Sequence, residues 1–369
     1  MGLSNLHLLR TAGVSPWSDQ ISRRMLDTGE LARLISEDAV TGVTSNPSIF
    51  AKAIVGSDDY DQEMTELAGR GAAAEEIVAA LMTADIQRGC DALRQVHEET
   101  DGRDGFVSVE VTPSLAHDTE ATIAEAREWV KRIDHPNLFV KVPATEAGLP
   151  AIEQLIGEGI SINITLIFSL ERYRRVMEAY MAGLERYVTQ GGSPVGVASV
   201  ASFFVSRMDS EVDNRLDAIG TEAALALKGE TAVANAQLAY RSFLDTFTGE
   251  RWQRLVARGA RIQRPLWAST STKNPDYPDT LYVDRLVAAH TVNTMPIETI
   301  EAYQNHGTPP MAFGPEEMAA AETTLAAMAE VGVDYDDVMD TLETEGVEKF
   351  ISAWDEVVAD VESERQKHT

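Results

Sequence analysis

Lys141 stands where a charge is costly. It lies in LFVKVPATEAG, which otherwise reads as a fully buried β-strand, and burial disfavours the ammonium form. A lysine at its ordinary pKa of about 10.4 is neutral in roughly one molecule in a few thousand at pH 7, a handicap of about 4–5 kcal/mol for nucleophilic attack. A buried lysine sheds part of that handicap and becomes a Schiff-base former. The plainer reading is a snorkelling side chain or half of an ion pair. Neighbouring segments favour the first. In VSVEV, Ser108 and Glu110 share one face and Val107, Val109 and Val111 the other; in ISINITLI, Ser161, Asn163 and Thr165 oppose Ile162, Ile164 and Leu166. Lys, Glu, Asn and Thr gathered in this way suit a site that makes and breaks carbon–carbon or carbon–nitrogen bonds.

These residues fall on short β-like runs that alternate with helical stretches. Strands are expected near 15–20, 40–46, 105–111, 138–143, 160–167, 195–203, 264–270 and 290–295. Eight strands separated by amphipathic segments such as TIAEAREWVKRI predict an α/β fold, a single (β/α)8 TIM barrel, with a doubly wound open sheet as the alternative. Period-2 alternation ordinarily marks an antiparallel strand with one wet face. Here helices join the strands, so the apolar face packs on those helices and the polar face points into the barrel. The polar residues also sit toward the C-terminal strand ends, where barrel active sites lie. A purely structural polar network is the rival reading. One domain is expected over 1–369, with a barrel core at about 14–310, extra N-terminal helices, inserted helices over 207–256 and a C-terminal helical decoration at about 311–369.

The 369 residues carry 31 Lys and Arg against 59 Asp and Glu, a formal net charge of −28. Such a chain repels nucleic acid and anionic membrane surfaces, and any phosphate site in it must be built from locally clustered cations. The single cysteine, Cys90, excludes an intrachain disulfide and sits in an ordinary helical pattern as a small core residue. With no apolar run of about 18–20 residues and no signal-peptide core, the expectation is a cytoplasmic protein. His7, His97, His117, His135, His290, His306 and His368 are scattered without metal-ligand spacing, which argues against a metal-dependent barrel enzyme.

Several long motifs stand in one order: TSNPSIF (44–50), SVEVTPSLAHDT (108–119), NLFVKVPATEAGLPAI (137–152), GISINITLIFSLERY (159–173), ASVASFFVSRMD (198–209) and RPLWASTSTKNPDYPDTLYV (264–283). On these the chain resembles the transaldolase family, long bacterial type, within the class I Schiff-base aldolases. The resemblance implies a (β/α)8 barrel with no cofactor and no metal. The implied reaction moves a dihydroxyacetone unit from a ketose phosphate to an aldose phosphate in the non-oxidative pentose phosphate pathway. The partners implied are sugar phosphates. A monomer or homodimer is expected.

By the same resemblance Lys141 is the Schiff-base lysine. Glu110 is the acid/base, acting through a water that Thr165 also holds, and Asp19 accepts the C4 hydroxyl proton. Asn46, Asn163 and Ser202 hold the three-carbon unit. Arg207 contacts the phosphate. Where shorter relatives carry a second arginine after the seventh strand, this chain reads STSTKNP, so the cation becomes Lys273, helped by Ser269 or Ser271. Plainer roles exist for some of these: Asp19 as the N-cap of a helix beginning near Ser22, Asn46 before Pro47 as a turn former, and Glu110 as no more than the ion-pair partner of Lys141. The nearest functional rival is a Schiff-base fructose 6-phosphate aldolase that releases free dihydroxyacetone. A further rival is a non-catalytic sugar-phosphate-binding barrel, which would have no need of Lys141 or Glu110.

Overall fold

The computed structural model describes residues 4–46, 49–50, 53–54 and 57–367. The strands are β1 (Val14–Ser18), β2 (Val107–Glu110), β3 (Leu138–Pro143), β4 (Ile162–Ile167), β5 (Ser199–Phe204), β6 (Arg264–Ala268) and β7 (Thr291–Met295). All pair in parallel, in the order β1-β7-β6-β5-β4-β3-β2. Helices run between successive strands, which places them against the sheet's outer face.

The strand expected at 40–46 is reduced to a single bridging residue. Val43 pairs with Ser18 of β1 on one side and Val107 of β2 on the other. Backbone hydrogen bonds from Thr41, Val43 and Thr44 run to both edge strands. The run is short because Ala39 enters it in the left-handed region, φ 57°, which interrupts extended backbone. Gly42 then passes flat over the Trp17 indole, where any Cβ would collide with the ring. The two edges of the sheet therefore approach each other across one residue, and the sheet is strongly curled. Pro47 and Ser48 of the TSNPSIF motif and His368 lie outside the described residues.

Local chemistry accounts for the units that carry β3 and β4. The helix Thr119–Ile133 starts at Asp118, whose carboxylate accepts from the Ala121 N–H, and stops at Asp134 with φ 53°. After β3 the chain turns tightly into the helix Gly148–Ile156, and a Cβ on Gly148 would run into the Pro143 carbonyl oxygen. Ser169 caps Leu170–Thr189 in the same way. Cys90 is fully buried in the helix Ala74–Glu99, with its thiol pushed up to about 12 by burial.

The stretch expected to be helical over 207–256 forms Ser206–Ile219, Glu222–Leu225, Thr231–Thr248 and Glu250–Val256. At the C-terminal end Pro315–Glu330 packs on Thr231–Thr248, and the long helix Tyr335–Lys367 crosses toward β4. Its Gly346 sits against Leu166, close enough that a Cβ would come within 3.1 Å of the leucine side chain. No helix among the described residues is long and apolar enough to cross a membrane.

Candidate active site

Strand register brings the polar residues together. Glu110 pairs with Lys141 across β2 and β3, and Lys141 pairs with Asn163 across β3 and β4. Residues paired in this way point to the same face, so the three side chains stand side by side. Lys141 Nζ donates to Glu110 Oε2 at 3.0 Å and to the Ser45 carbonyl at 2.7 Å. Asn163 Nδ2 donates to Ser108 Oγ at 3.1 Å, and Ser202 Oγ donates to Asn163 Oδ1 at 2.7 Å. A continuous polar seam thus runs across β2, β3, β4 and β5 through the inside of the sheet. It is buried throughout: Ser108, Asn163 and Thr165 are sealed from solvent, and Lys141 and Glu110 are each only 5% exposed.

Above this seam lies a cavity of about 410 Å³. Asp19, Asn46, Lys141, Thr165, Ser202, Arg207, Ser269 and Lys273 line it, together with Ser271 and Phe350. Glu110 and Asn163 stand one layer below, reached through Lys141 and Ser202. The cavity shares Asp19, Ser271 and Lys273 with an adjoining pocket of about 530 Å³ that extends toward Arg24 and Glu298.

The floor is locally strained. The ladder between β4 and β5 slips between Ile164 and Ile167, and within that slip Leu166 takes φ 58°. A bulky residue in the left-handed region costs on the order of 1–3 kcal/mol. The bulge is the step directly after Thr165, whose buried Oγ1 has no hydrogen-bond partner among the described protein atoms. Ser269, beyond β6, also has a left-handed φ, and its Oγ lies 2.9 Å from Ser206 Oγ.

Electrostatics separate the two carboxylates. Burial pushes the Glu110 carboxyl upward more than Lys141 and Arg207 pull it down. Asp19, just past the end of β1, is raised to about 6, first by burial and then by Glu298, against the opposing pull of Lys273 and Lys141. Burial lowers Arg207 from its ordinary value. The guanidinium carbon of Arg207 lies 4.9 Å from the Phe204 ring centre and 5.6 Å from that of Phe350, and its Nη1 is buried without a hydrogen-bond partner. Lys273 is exposed and donates to Ser271 Oγ at 2.7 Å.

Two of the plainer readings can be decided. Ser22, not Asp19, caps the helix Arg23–Asp27, its hydroxyl accepting from the Met25 N–H. Asn46 does shape its turn, since its Oδ1 accepts from the Ile49 N–H at 3.1 Å, and it lines the cavity as well. Sequence reasoning missed Phe350. Its ring centre is 5.8 Å from Lys141 Nζ, yet it comes from a helix some two hundred residues further on, in a pattern indistinguishable from core packing. Among the described residues, no three His, Cys, Asp or Glu side chains cluster as a metal site would require.

Comparison with known proteins places the chain in a family. The sequence model of the Transaldolase/Fructose-6-phosphate aldolase family matches residues 16–361. A transaldolase from Acidothermus cellulolyticus is 56% identical over 353 residues, covering 96% of this chain and 95% of its own length. One from Thermobifida fusca is 52% identical over 366 residues, covering 99% and 100%. One from Mycolicibacterium paratuberculosis is 51% identical over 365 residues, covering 98% and 97%. With the match running through every strand that carries the polar seam, the chain belongs to the Transaldolase/Fructose-6-phosphate aldolase family.

Proposed function

We propose that the chain is a transaldolase. It carries a dihydroxyacetone unit from sedoheptulose 7-phosphate or fructose 6-phosphate to glyceraldehyde 3-phosphate or erythrose 4-phosphate, as a step of the non-oxidative pentose phosphate pathway in the cytoplasm. The scaffold is read as one (β/α)8 domain, with the Val43 segment as the abbreviated second strand; its hydrogen bonds to both β1 and β2 support that reading. The observation that carries the function is a buried lysine amine 3.0 Å from a buried carboxylate at the floor of a polar cavity.

In this mechanism Glu110 takes a proton from Lys141, and the neutral amine attacks the C2 carbonyl of the ketose. The carbinolamine loses its hydroxyl as water and becomes an iminium, with Glu110 returning the proton and Thr165 Oγ1 orienting the water involved. Asp19, raised to about 6 but mostly ionised at neutral pH, takes the C4 hydroxyl proton. The C3–C4 bond then breaks, its electron pair moves into the iminium, and the aldose phosphate departs. Addition of the resulting enamine to an acceptor aldehyde reverses these steps. Asn46, Asn163 and Ser202 hold the hydroxyls with neutral, directional hydrogen bonds. Arg207 takes the phosphate, assisted by Lys273 and Ser269. The family also includes enzymes named for fructose 6-phosphate cleavage, in which the enamine would be protonated and released as free dihydroxyacetone.

The test is borohydride reduction in the presence of fructose 6-phosphate, followed by mass mapping. A reduced three-carbon adduct on Lys141 is expected, and an adduct on another lysine, or none, would overturn the mechanism. A coupled assay with and without an acceptor aldose separates transfer from free cleavage.

A further inference from the structure

The helix Ser206–Ile219 leaves β5 with Arg207 in its first turn and buries two aspartates one turn apart. Asp209 is 2% exposed and Asp213 is 7% exposed. Neither makes an ion pair among the described residues, and Lys228, whose charge acts on Asp213, is held by Asp217 at 2.6 Å. Burial raises both carboxyls, Asp209 to about 6. A carboxylate taken out of water without a cation is costly, and hydrogen bonds must compensate it.

Both are compensated from one segment. Tyr277 Oη donates to Asp213 Oδ2 at 2.5 Å, and Tyr282 Oη donates to Asp209 Oδ2 at 2.8 Å. Tyr277 lies in the loop 269–280, which leaves β6 and carries Ser269, Ser271 and Lys273, and Tyr282 lies in the short helix Leu281–Arg285 that ends it. The other contacts of the two aspartates set them apart. Asp209 Oδ1 also accepts from Thr231 Oγ1 and from the Ala232 N–H, so it fixes the start of the helix Thr231–Thr248, and packing accounts for it. Asp213 Oδ1 accepts from the Gly229 N–H at 3.2 Å. The Gly229 backbone lies against the Tyr277 ring, where an added Cβ would come within 2.9 Å of it. Asp213 and Gly229 thus form a seat for the Tyr277 side chain.

That seat fixes the loop at its far side. At its near side the Ser206 N–H donates to the Ser269 carbonyl at 2.9 Å, and the two serine hydroxyls lie 2.9 Å apart. The loop is therefore tied at both sides to the helix that carries Arg207. Between the ties, Asn274 Oδ1 accepts from the Asp276 N–H at 3.0 Å and its carbonyl accepts from the Tyr277 N–H at 3.2 Å, a turn that joins the seated ring to Lys273. Ser271 and Lys273 line the catalytic cavity with Arg207, whereas Tyr277 and Asp213 do not. A hydroxyl bound to a carboxylate is short and about twice as strong as a neutral hydrogen bond, which suits a tie that sets a position.

We propose that Tyr277 and Asp213 are positioning residues for the phosphate end of the site, their hydrogen bond holding Lys273 at the distance from Arg207 that a sugar phosphate spans. The proposal rests on the reading of Arg207 and Lys273 as the phosphate contacts.

Tyr277→Phe tests it, because the ring stays on Gly229 and only the donor is lost. The KM for fructose 6-phosphate should rise about three-fold or more, but no further than in Lys273→Ala. Its kcat should stay within about two-fold of the parent, and kcat/KM for unphosphorylated fructose should not change. In a Lys273→Ala background Tyr277→Phe should add less than about two-fold, since the group it positions is gone. Asp213→Asn weakens the same tie from the helix side and should give the same split between the two sugars, so it decides the matter if Tyr277→Phe does not fold. Equal losses on fructose and its 6-phosphate would show a role in the fold alone and overturn the proposal, as would a full Tyr277→Phe effect without Lys273. An effective Lys273→Ala beside a silent Tyr277→Phe would overturn the positioning role and leave the phosphate reading standing. A silent Lys273→Ala would overturn that reading and the proposal with it.

Discussion

Lys141 Nζ and Glu110 Oε2 meet at 3.0 Å between adjacent strands, at paired register positions, with both side chains almost wholly buried. Such a pair is costly to assemble and costlier to break. Removing one partner leaves a charge in a low-dielectric interior, a loss of about 3–5 kcal/mol, whereas replacing both by neutral groups is often nearly neutral. Lys141→Met keeps the long stem of the side chain but strands Glu110, so it should destabilise the fold as well as abolish turnover. Adding Glu110→Gln should restore most of the lost stability without any activity. Denaturant unfolding of the two single variants and the double variant measures the coupling, and strictly additive effects would show that the two groups do not interact as described.

Asp19 carries a carboxyl raised to about 6, chiefly by burial. An acid whose folded pKa exceeds its unfolded value of about 3.9 binds more protons in the native state between those values, so stability falls as pH rises through the window. Above pH 6 the full cost is present, about 1–3 kcal/mol after allowing for its partial exposure. Asp19→Asn should therefore stabilise the protein at pH 7–8 by that amount and show little difference from the parent near pH 4. It should also lower turnover by about 10²–10⁴ if the carboxylate is the C4 base. Thermal unfolding across pH, with steady-state rates beside it, reads both. A variant that is less stable at pH 8 would contradict the electrostatic origin of the shift.

Thr165 offers a cleaner separation of structure from chemistry. Its buried Oγ1 has no protein partner, so exchanging the hydroxyl for a methyl group removes an unsatisfied polar atom at nearly constant volume. Replacing such an atom is close to neutral or mildly stabilising. Thr165→Val should hold unfolding free energy within about 1 kcal/mol of the parent while lowering turnover at least about ten-fold through loss of a positioned proton-transfer partner. A large loss of stability would mean that the hydroxyl is satisfied within the fold.

Much of this site could be read from strand parity. A period of two places Ser108 and Glu110, Phe139 and Lys141, and Asn163 and Thr165 on common faces before any coordinates are known. The register then proves to join Glu110, Lys141 and Asn163 directly. What parity could not supply was anything reached through irregular backbone. The second acceptor for Lys141 is the Ser45 main-chain carbonyl, which no residue type announces. The Val43 segment reads as a strand because it is rich in β-branched residues, yet Ala39 and the Trp17 ring beneath Gly42 confine it to one bridge. A capping role for Asp19 is the plainer rival in the sequence, and only the geometry gives that role to Ser22. Phe350 was invisible for a different reason: an aromatic residue on an amphipathic helix is ordinarily core, and nothing in its spacing tells which cavity the helix will cross.

Phe350 leads to the last prediction, because its ring faces both Lys141 Nζ and the Arg207 guanidinium. Arg207 is half-buried, has an unpartnered Nη1 and makes no ion pair among the described residues, so its charge rests on the Phe204 and Phe350 faces and on the more distant Glu110 and Glu345 carboxylates. A charge-assisted hydrogen bond contributes about 1.5–3 kcal/mol. Arg207→Ala should therefore raise the KM for fructose 6-phosphate by roughly 10–100-fold, and the exposed Lys273→Ala should raise it less. Phe350→Leu keeps an apolar side chain in place but removes the ring, a contact worth about 0.5–2 kcal/mol for a partly desolvated cation. It should raise the same KM by roughly 2–30-fold. None of the three should much change the reaction of unphosphorylated fructose, which never makes the contact. If Phe350→Leu weakens fructose and its 6-phosphate equally, the ring acts on Lys141 or on the shape of the cavity instead; if it affects neither, the C-terminal helix covers the site without contributing to it.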